Sequence, residues 1–265
     1  MTKERYVPDE LFDDYLSASR VKKFAQCPLS WWFDYARDED RTKPEKGYRE
    51  MGTAVHEAIE EVLLDDESIR DSGILSHRFK ERYREKNPDV PEWMYENGLD
   101  CCDNAAKYIE KFGADMTFRG FEVEHQYHVG GEVNKGFNAK MDIVTEEGVL
   151  DWKTGKRKDS DGNVRDYRKR DELIQGMVYA GAYLNKYGEY PEYVTFVYLG
   201  DGEIANRIPD EEQWSQMKQY ARSLLQAMGA GEFPAKPGGH CGFCDYEFVC
   251  PAQETSMANL SYWKY

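Results

Sequence analysis

The chain has 265 residues, of which 40% are hydrophobic and 14% aromatic, and a net charge of −15. That length admits one large domain or one domain with an inserted subdomain, and the apolar content supplies a core and argues against disorder. The acidic balance argues against a nonspecific polyanion binder, because a uniformly negative surface repels phosphate.

The amino-terminal MTKERYVPDELFDD lacks the apolar core of a secretion signal. The longest uncharged stretch, LIQGMVYAGAYLN at 173–185, is too short to span a bilayer. A soluble cytoplasmic protein without a membrane partner is expected. Residues 17–37 are predicted as a helix, with Ser17 or Ser19 as N-cap and Val21, Phe24 and Cys27 or Pro28 on one face. Residues 50–64 predict a second amphipathic helix, with Val55, Ile59 and Val62 or Leu63 inward and Gly52 allowing close approach at its start. The pattern over 75–118 stays mostly helical, interrupted by NPDVPEW, and residues 65–118 read as a helical insertion within one domain spanning 1–265.

The period then changes to two. Phe121, Val123, Tyr127 and Val129 alternate with polar residues, as do Phe137, Ala139, Met141 and Ile143. In GVLDWK, Val149, Asp151 and Lys153 share one face and Leu150 and Trp152 the other. The spacers VGGEVNKG and TEEG suggest hairpins and an antiparallel meander. A helix over 171–186, strands at 193–200 and 203–208 and a last helix near 210–229 complete an α/β core, a mixed sheet flanked by helices.

Two residues apart on a strand means the same face, so Asp151 and Lys153 look into one site, and Asp142 on the preceding strand pairs across to them. Hard oxygen ligands of this kind suit Mg²⁺ or Mn²⁺ and the chemistry of phosphodiester hydrolysis. Lys153 would hold or deprotonate the attacking water or stabilise developing charge. Beside this trio, residues 152–170 carry eight Lys or Arg against three Asp, a basic track that includes Lys156 and Arg157. A lone helical His such as His56 is more often a packed structural residue. A zinc-protease reading of HEAIE fails because Glu60 stands where the second His belongs. Gln175 and Tyr179 share a helix face at i and i+4, and Glu124 reads as an outward strand residue with a lesser claim as a helper acid.

The ordered series GTAVH, FNAKMD, LDWKTGK and QGMVY resembles the RecB-like branch of the PD-(D/E)XK nucleases. It departs from that family's G-x-I-D strand, since Gly136 lies six residues before Asp142. The resemblance implies a restriction-endonuclease-like core. It makes His56, Asp142, Asp151 and the Trp152 carbonyl metal ligands, Lys153 the catalytic lysine, and Gln175 and Tyr179 a substrate-side pair.

Six cysteines occur, and HCGFCDYEFVC spaces Cys241, Cys244 and Cys250 as three ligands that need a fourth, for which Cys27 is the distant candidate. Disulfides are disfavoured in a reducing cytoplasm. One Cys before the core and three after it, with SASRVKKFAQCP, resembles the iron–sulfur RecB-like nucleases. That group includes CRISPR-associated nucleases of the fourth Cas type and the AddB nuclease domain. It implies a structural [4Fe–4S] cluster, with zinc as the alternative, joining residues 235–252 to Cys27. Cys101 and Cys102 read as helix packing.

A metal-dependent DNA exonuclease on single-stranded or frayed DNA is therefore expected, in recombination, repair or CRISPR-type processing, of phage or cellular origin. A homo-oligomer or recombination or CRISPR partner proteins would fit the resemblance. The alternative is a non-catalytic, cluster-stabilised DNA-binding or assembly module, against which the intact Asp142, Asp151 and Lys153 count.

Overall fold

The computed structural model describes residues 5–37, 47–65, 72–86, 90–113, 116–129 and 135–253. In chain order it contains α1 (Glu10–Asp13), β1 (Leu16–Ser17), α2 (Ala18–Gln26), α3 (Pro28–Tyr35), α4 (Tyr48–Leu64), α5 (Ser72–Lys86) and α6 (Glu92–Phe112). There follow β2 (Phe118–Val129), β3 (Lys135–Thr145), β4 (Gly148–Lys153), α7 (Asp166–Tyr187), β5 (Tyr193–Tyr198), β6 (Glu203–Arg207) and α8 (Glu211–Ala230), then a 3₁₀ turn at Cys241–Phe243.

The strands form one mixed sheet in the order β1-β3-β4-β5-β6, with β2 along the other edge of β3. β2, β3 and β4 are antiparallel neighbours, as their short spacers predict; residues 130–134 of the first spacer lie outside the described residues. α7 is the crossover that makes β4 and β5 parallel, and β6 returns antiparallel on β5.

β3 organises the site. Its first half pairs with β1 at Phe137 and Asn138, and its second half with β4 at Ile143 and Val144. Those two neighbours part along the same edge, and Asp142 stands in the fork between them.

Two apolar layers sandwich the sheet. α2, α7 and α8 bury Val21, Phe24, Met177, Val178, Leu224 and their neighbours on one face; α4, α5 and α6 bury Val55, Ile59, Val62, Phe79 and Ile109 on the other. α7 lies unusually close to the sheet at Gly181, where a Cβ would meet Tyr127 Oη at 2.6 Å. No helix among the described residues is long and apolar enough to cross a membrane.

Several sequence expectations change in detail. The helix over 17–37 is two helices, because Cys27 is extended (φ −156°) and Pro28 starts a new helix at its first position. Ser17 is the N-cap, its hydroxyl accepting from Arg20 N at 3.2 Å. α7 begins at Asp166, five residues before the predicted 171. Gly52 sits in the second turn of α4, where a Cβ would meet Thr154 Oγ1 at an ordinary 3.4 Å, so no approach reserved for glycine occurs there. The alternation in β3 breaks at Asp142, since Met141 joins the α7 layer but Ile143 the α4–α6 layer.

Candidate active site

Asp151 is the most enclosed acid of the site, 2% exposed near the end of β4. Its Oδ1 accepts from Gln175 Nε2 and from Tyr179 Oη, each at 2.8 Å, so the i, i+4 pair on α7 grips the carboxylate. Gln175 Nε2 also lies 2.6 Å from Tyr179 Oη. Burial, then the Asp151 charge, holds the Tyr179 phenol well above its ordinary pKa, which keeps it a donor. Asp151 Oδ2 is buried and receives no well-directed hydrogen bond; the Lys153 ammonium lies against it as an ion pair.

Extending the β3–β4 register by one residue sets Asp142 opposite Asp151. Where the strands part, Asp142 Oδ2 accepts the Trp152 N–H at 2.9 Å, replacing a ladder bond with a side chain. His56 reaches the same oxygen from α4, its Nδ1 3.4 Å away. Burial pushes the Asp142 carboxyl well above its usual range, with the neighbouring Asp151 charge second, and burial also lowers the His56 imidazole. Two acids this close and this enclosed repel until a cation or proton arrives.

Glu122 completes the group. β2 pairs Phe121 with Ile143 and Val123 with Met141, so Glu122 stands across from Asp142. It has a left-handed backbone (φ 47°), a conformation that costs a non-glycine residue about 1–3 kcal/mol and collects at functional sites. Glu122 also pairs with Lys140. Among the described residues, ligand atoms of His56, Glu122 and Asp142 lie within 4.8 Å of one another. One imidazole and two carboxylates with open space beside them form a donor set that fits Mg²⁺ or Mn²⁺. They line a pocket of about 830 Å³ with Arg49, Glu57 and Glu60. Glu124, by contrast, points outward and accepts from Asn138 Nδ2 at 2.7 Å.

Two further sequence candidates take different places. Arg157 turns its guanidinium inward onto Glu172, with Nε 2.8 Å from Oε1, while Lys156 offers its carbonyl to Arg165 and Arg168. Sequence reasoning missed Glu122, whose signal was its register opposite Asp142. It also missed Lys22, whose ammonium donates to Gln175 Oε1 at 2.7 Å. Burial, then Lys153, lowers Lys22 to about 8.

Cys27, Cys241, Cys244 and Cys250 line one small cavity, together with Leu29, Phe33 and Tyr246. Burial raises the Cys244 and Cys250 thiols, and Cys27 adds to both as a neighbouring charge. The segment is anchored independently of sulfur: Lys236 Nζ donates to the Ala25 carbonyl at 3.0 Å, and the Phe33 and Tyr246 rings stack at 4.9 Å. Four thiols lining one cavity suit a thiophilic metal centre. Cys101 and Cys102 are fully buried in α6, and burial pushes both thiols up to about 12.

The chain matches the family profile of the PD-(D/E)XK nuclease superfamily over residues 15–251. In fold it is similar to the crystal structure of a "Putative exonuclease" from Eubacterium rectale, with a TM-score of 0.57 and 17% identity over 99% of this chain and 98% of that one. The crystal structure of SSO0001 is more distant, with a TM-score of 0.45 and 13% identity over 94% and 90%. No curated protein matches the chain in sequence. A profile match from before α2 to beyond Cys250, over a sheet that carries its acids at the β3–β4 fork, makes this chain a member of the PD-(D/E)XK nuclease superfamily.

Proposed function

We propose that the protein is a Mg²⁺- or Mn²⁺-dependent deoxyribonuclease, an exonuclease that hydrolyses phosphodiester bonds in single-stranded or frayed DNA during recombination, repair or CRISPR-type processing. One observation carries this reading: His56, Glu122 and Asp142 converge in one open pocket, and Asp142 stands opposite the buried Asp151 that pairs with Lys153. The likeness in fold to the Eubacterium rectale "Putative exonuclease" supports the exonucleolytic mode.

His56, Asp142 and Asp151 would hold the ion, with Glu122 and the Trp152 carbonyl beside them. When bound, the ion supplies Lewis-acid activation of water and charge neutralisation at the scissile phosphate. Gln175 and Tyr179 hold Asp151 in one orientation, leaving Oδ2 for the reaction side. Lys153 brings its ammonium to that oxygen, where it orients the attacking water and meets charge developing on the phosphate. Lys156 and the outward arginines of the following loop draw the DNA backbone toward the pocket.

The test is digestion of end-labelled single-stranded DNA with Mn²⁺ by wild type and Asp151→Ala. The substitution is expected to abolish cutting with the fold intact; equal cutting by both proteins would refute the site. For the cysteines, the reading is a structural [4Fe–4S] cluster on Cys27, Cys241, Cys244 and Cys250. It is supported by their common cavity.

A further inference from the structure

A second groove, larger than the pocket around His56, is lined by α2, α3, the start of α7 and the cysteine-bearing segment. Its lining includes Lys23 and Gln26 on α2, Arg165, Tyr167 and Arg170 around the start of α7, and residues of the cysteine-bearing segment at 239–245. Two aromatic rings stand open to solvent there. Phe243, in the turn between Cys241 and Cys244, is 88% exposed, and Tyr167, in the first turn of α7, is 41% exposed. A phenylalanine left so bare beside a cavity loses the burial that its ring would otherwise gain.

The charges nearby are unevenly committed. Lys23 pairs with Asp34 at 2.5 Å and Arg170 with Asp171 at 2.8 Å. Arg165 instead bonds the Lys156 carbonyl at 3.2 Å and approaches Tyr167 Oη at 3.5 Å. The adjoining Arg168 shares that carbonyl at 3.1 Å. Among the described residues neither Arg165 nor Arg168 meets a carboxylate, so both keep a charge for an external anion. The groove also contains Asp171 and Asp245, which restrict the anionic contacts to its arginine side.

The groove and the catalytic residues draw on the same two helices. Lys22 precedes Lys23 on α2 and bonds Gln175, and Asp171 lies one turn before Gln175 on α7. From these observations we propose that the groove binds single-stranded DNA. In this arrangement Phe243 and Tyr167 stack on bases while Arg165 meets a phosphate. Stacking on both rings requires unpaired bases, which excludes a closed duplex as occupant, and the uncommitted arginines match a polyanion. The inference rests on the nuclease reading for its substrate class and adds the cysteine segment as part of the substrate path. The metal centre then holds the Phe243 turn in place.

The experiment measures binding apart from cutting. Fluorescein-labelled dT15 is titrated in EDTA with the full chain purified without oxygen, and followed by anisotropy. Phe243→Ala and Tyr167→Ala should each weaken binding roughly five- to a hundredfold. Phe243→Trp should restore it, and Tyr190→Ala, at an exposed tyrosine remote from the groove, should change nothing. Arg165→Gln should lower the slope of log affinity against log salt by about 0.7. Wild-type affinity in a folded Phe243→Ala, Tyr167→Ala double variant overturns the proposal. Equal affinity for a blunt duplex or an acidic peptide also overturns it. If dT15 binds through these rings but is never cut with Mn²⁺, the nuclease reading fails and the groove stands. If the double variant binds as wild type and both proteins cut, the groove fails and the nuclease reading stands.

Discussion

Lys22 and Gln175 lie 153 positions apart, and the Lys22 ammonium donates to Gln175 Oε1 at 2.7 Å. That bond decides which end of the amide faces Asp151. With Oε1 occupied by a cation, the Nε2 group must turn to the carboxylate, where it donates at 2.8 Å. A side chain from α2 thus fixes a hydrogen bond between α7 and β4.

Lys22→Met removes that constraint while retaining most of the buried stem. Turnover on labelled single-stranded DNA is expected to fall roughly ten- to a hundredfold, as for outer partners of metal-site ligands. The melting temperature should change little, because the loss of a hydrogen bond is offset by removal of a buried charge. Unaltered turnover would show that Gln175 needs no such orientation.

Glu122→Gln should weaken Mn²⁺ binding by at least about tenfold, measured by titration calorimetry on the unreacted protein. Glu124→Gln, on an outward carboxylate two residues away, should leave it unchanged. Glu122→Gly should also lose the ion yet melt no lower than wild type, since glycine adopts the positive φ at this position without strain.

Glu172 is a separate stability element. It is 1% exposed and lies between Arg157, at 2.8 Å, and Arg207, at 2.5 Å, with Tyr198 Oη at 3.1 Å. Burial opposes its charge, but hydrogen bonds from the two arginines outweigh that and lower its carboxyl below the ordinary value. A lowered folded pKa gives stability that is complete above the unfolded value of about 4.3 and lost as pH falls through the folded one. Glu172→Gln should therefore cost roughly 3 kcal/mol at neutral pH, measured by urea unfolding. The gap between the two proteins should narrow below about pH 4.

Protein purified without oxygen should be brown and contain iron, and Cys250→Ala should be pale with a lower melting temperature. The centre would close a loop from residue 27 to the carboxy-terminal segment, so its removal frees a long stretch of unfolded chain. Cys102→Ala should keep the iron and lose only packing, about 1 kcal/mol. Stoichiometric zinc instead of iron would overturn the cluster.

The parts of the site that lie on one element were legible in the chain. Period two put Asp151 and Lys153 on one face of β4, and the helical repeat put Gln175 above Tyr179; both placements follow from backbone geometry alone. Glu122 was not legible, because its place depends on the β2–β3 register and on a left-handed backbone that no propensity signals. Lys22 was hidden for a related reason: it reaches its partner only after α2 packs on α7. The two-residue β1 is too short to show a period. The break at Cys27 lies within a pattern that otherwise reads as continuous helix, although Pro28 marks the position.

The docking of the cysteine segment on α2 and α3 also sets an order in time. Leu29 N bonds the Pro234 carbonyl at 3.3 Å, and Lys236 Nζ bonds that of Ala25, so the helix bearing Lys22 receives its last supports from residues translated far later. At ribosomal speeds of about 5–20 residues per second, roughly ten to forty-five seconds separate Lys22 from Cys250. Only for about the last five to twenty seconds of that interval, after Asp151 is made, does the nascent polypeptide carry both acids without the segment that steadies α2.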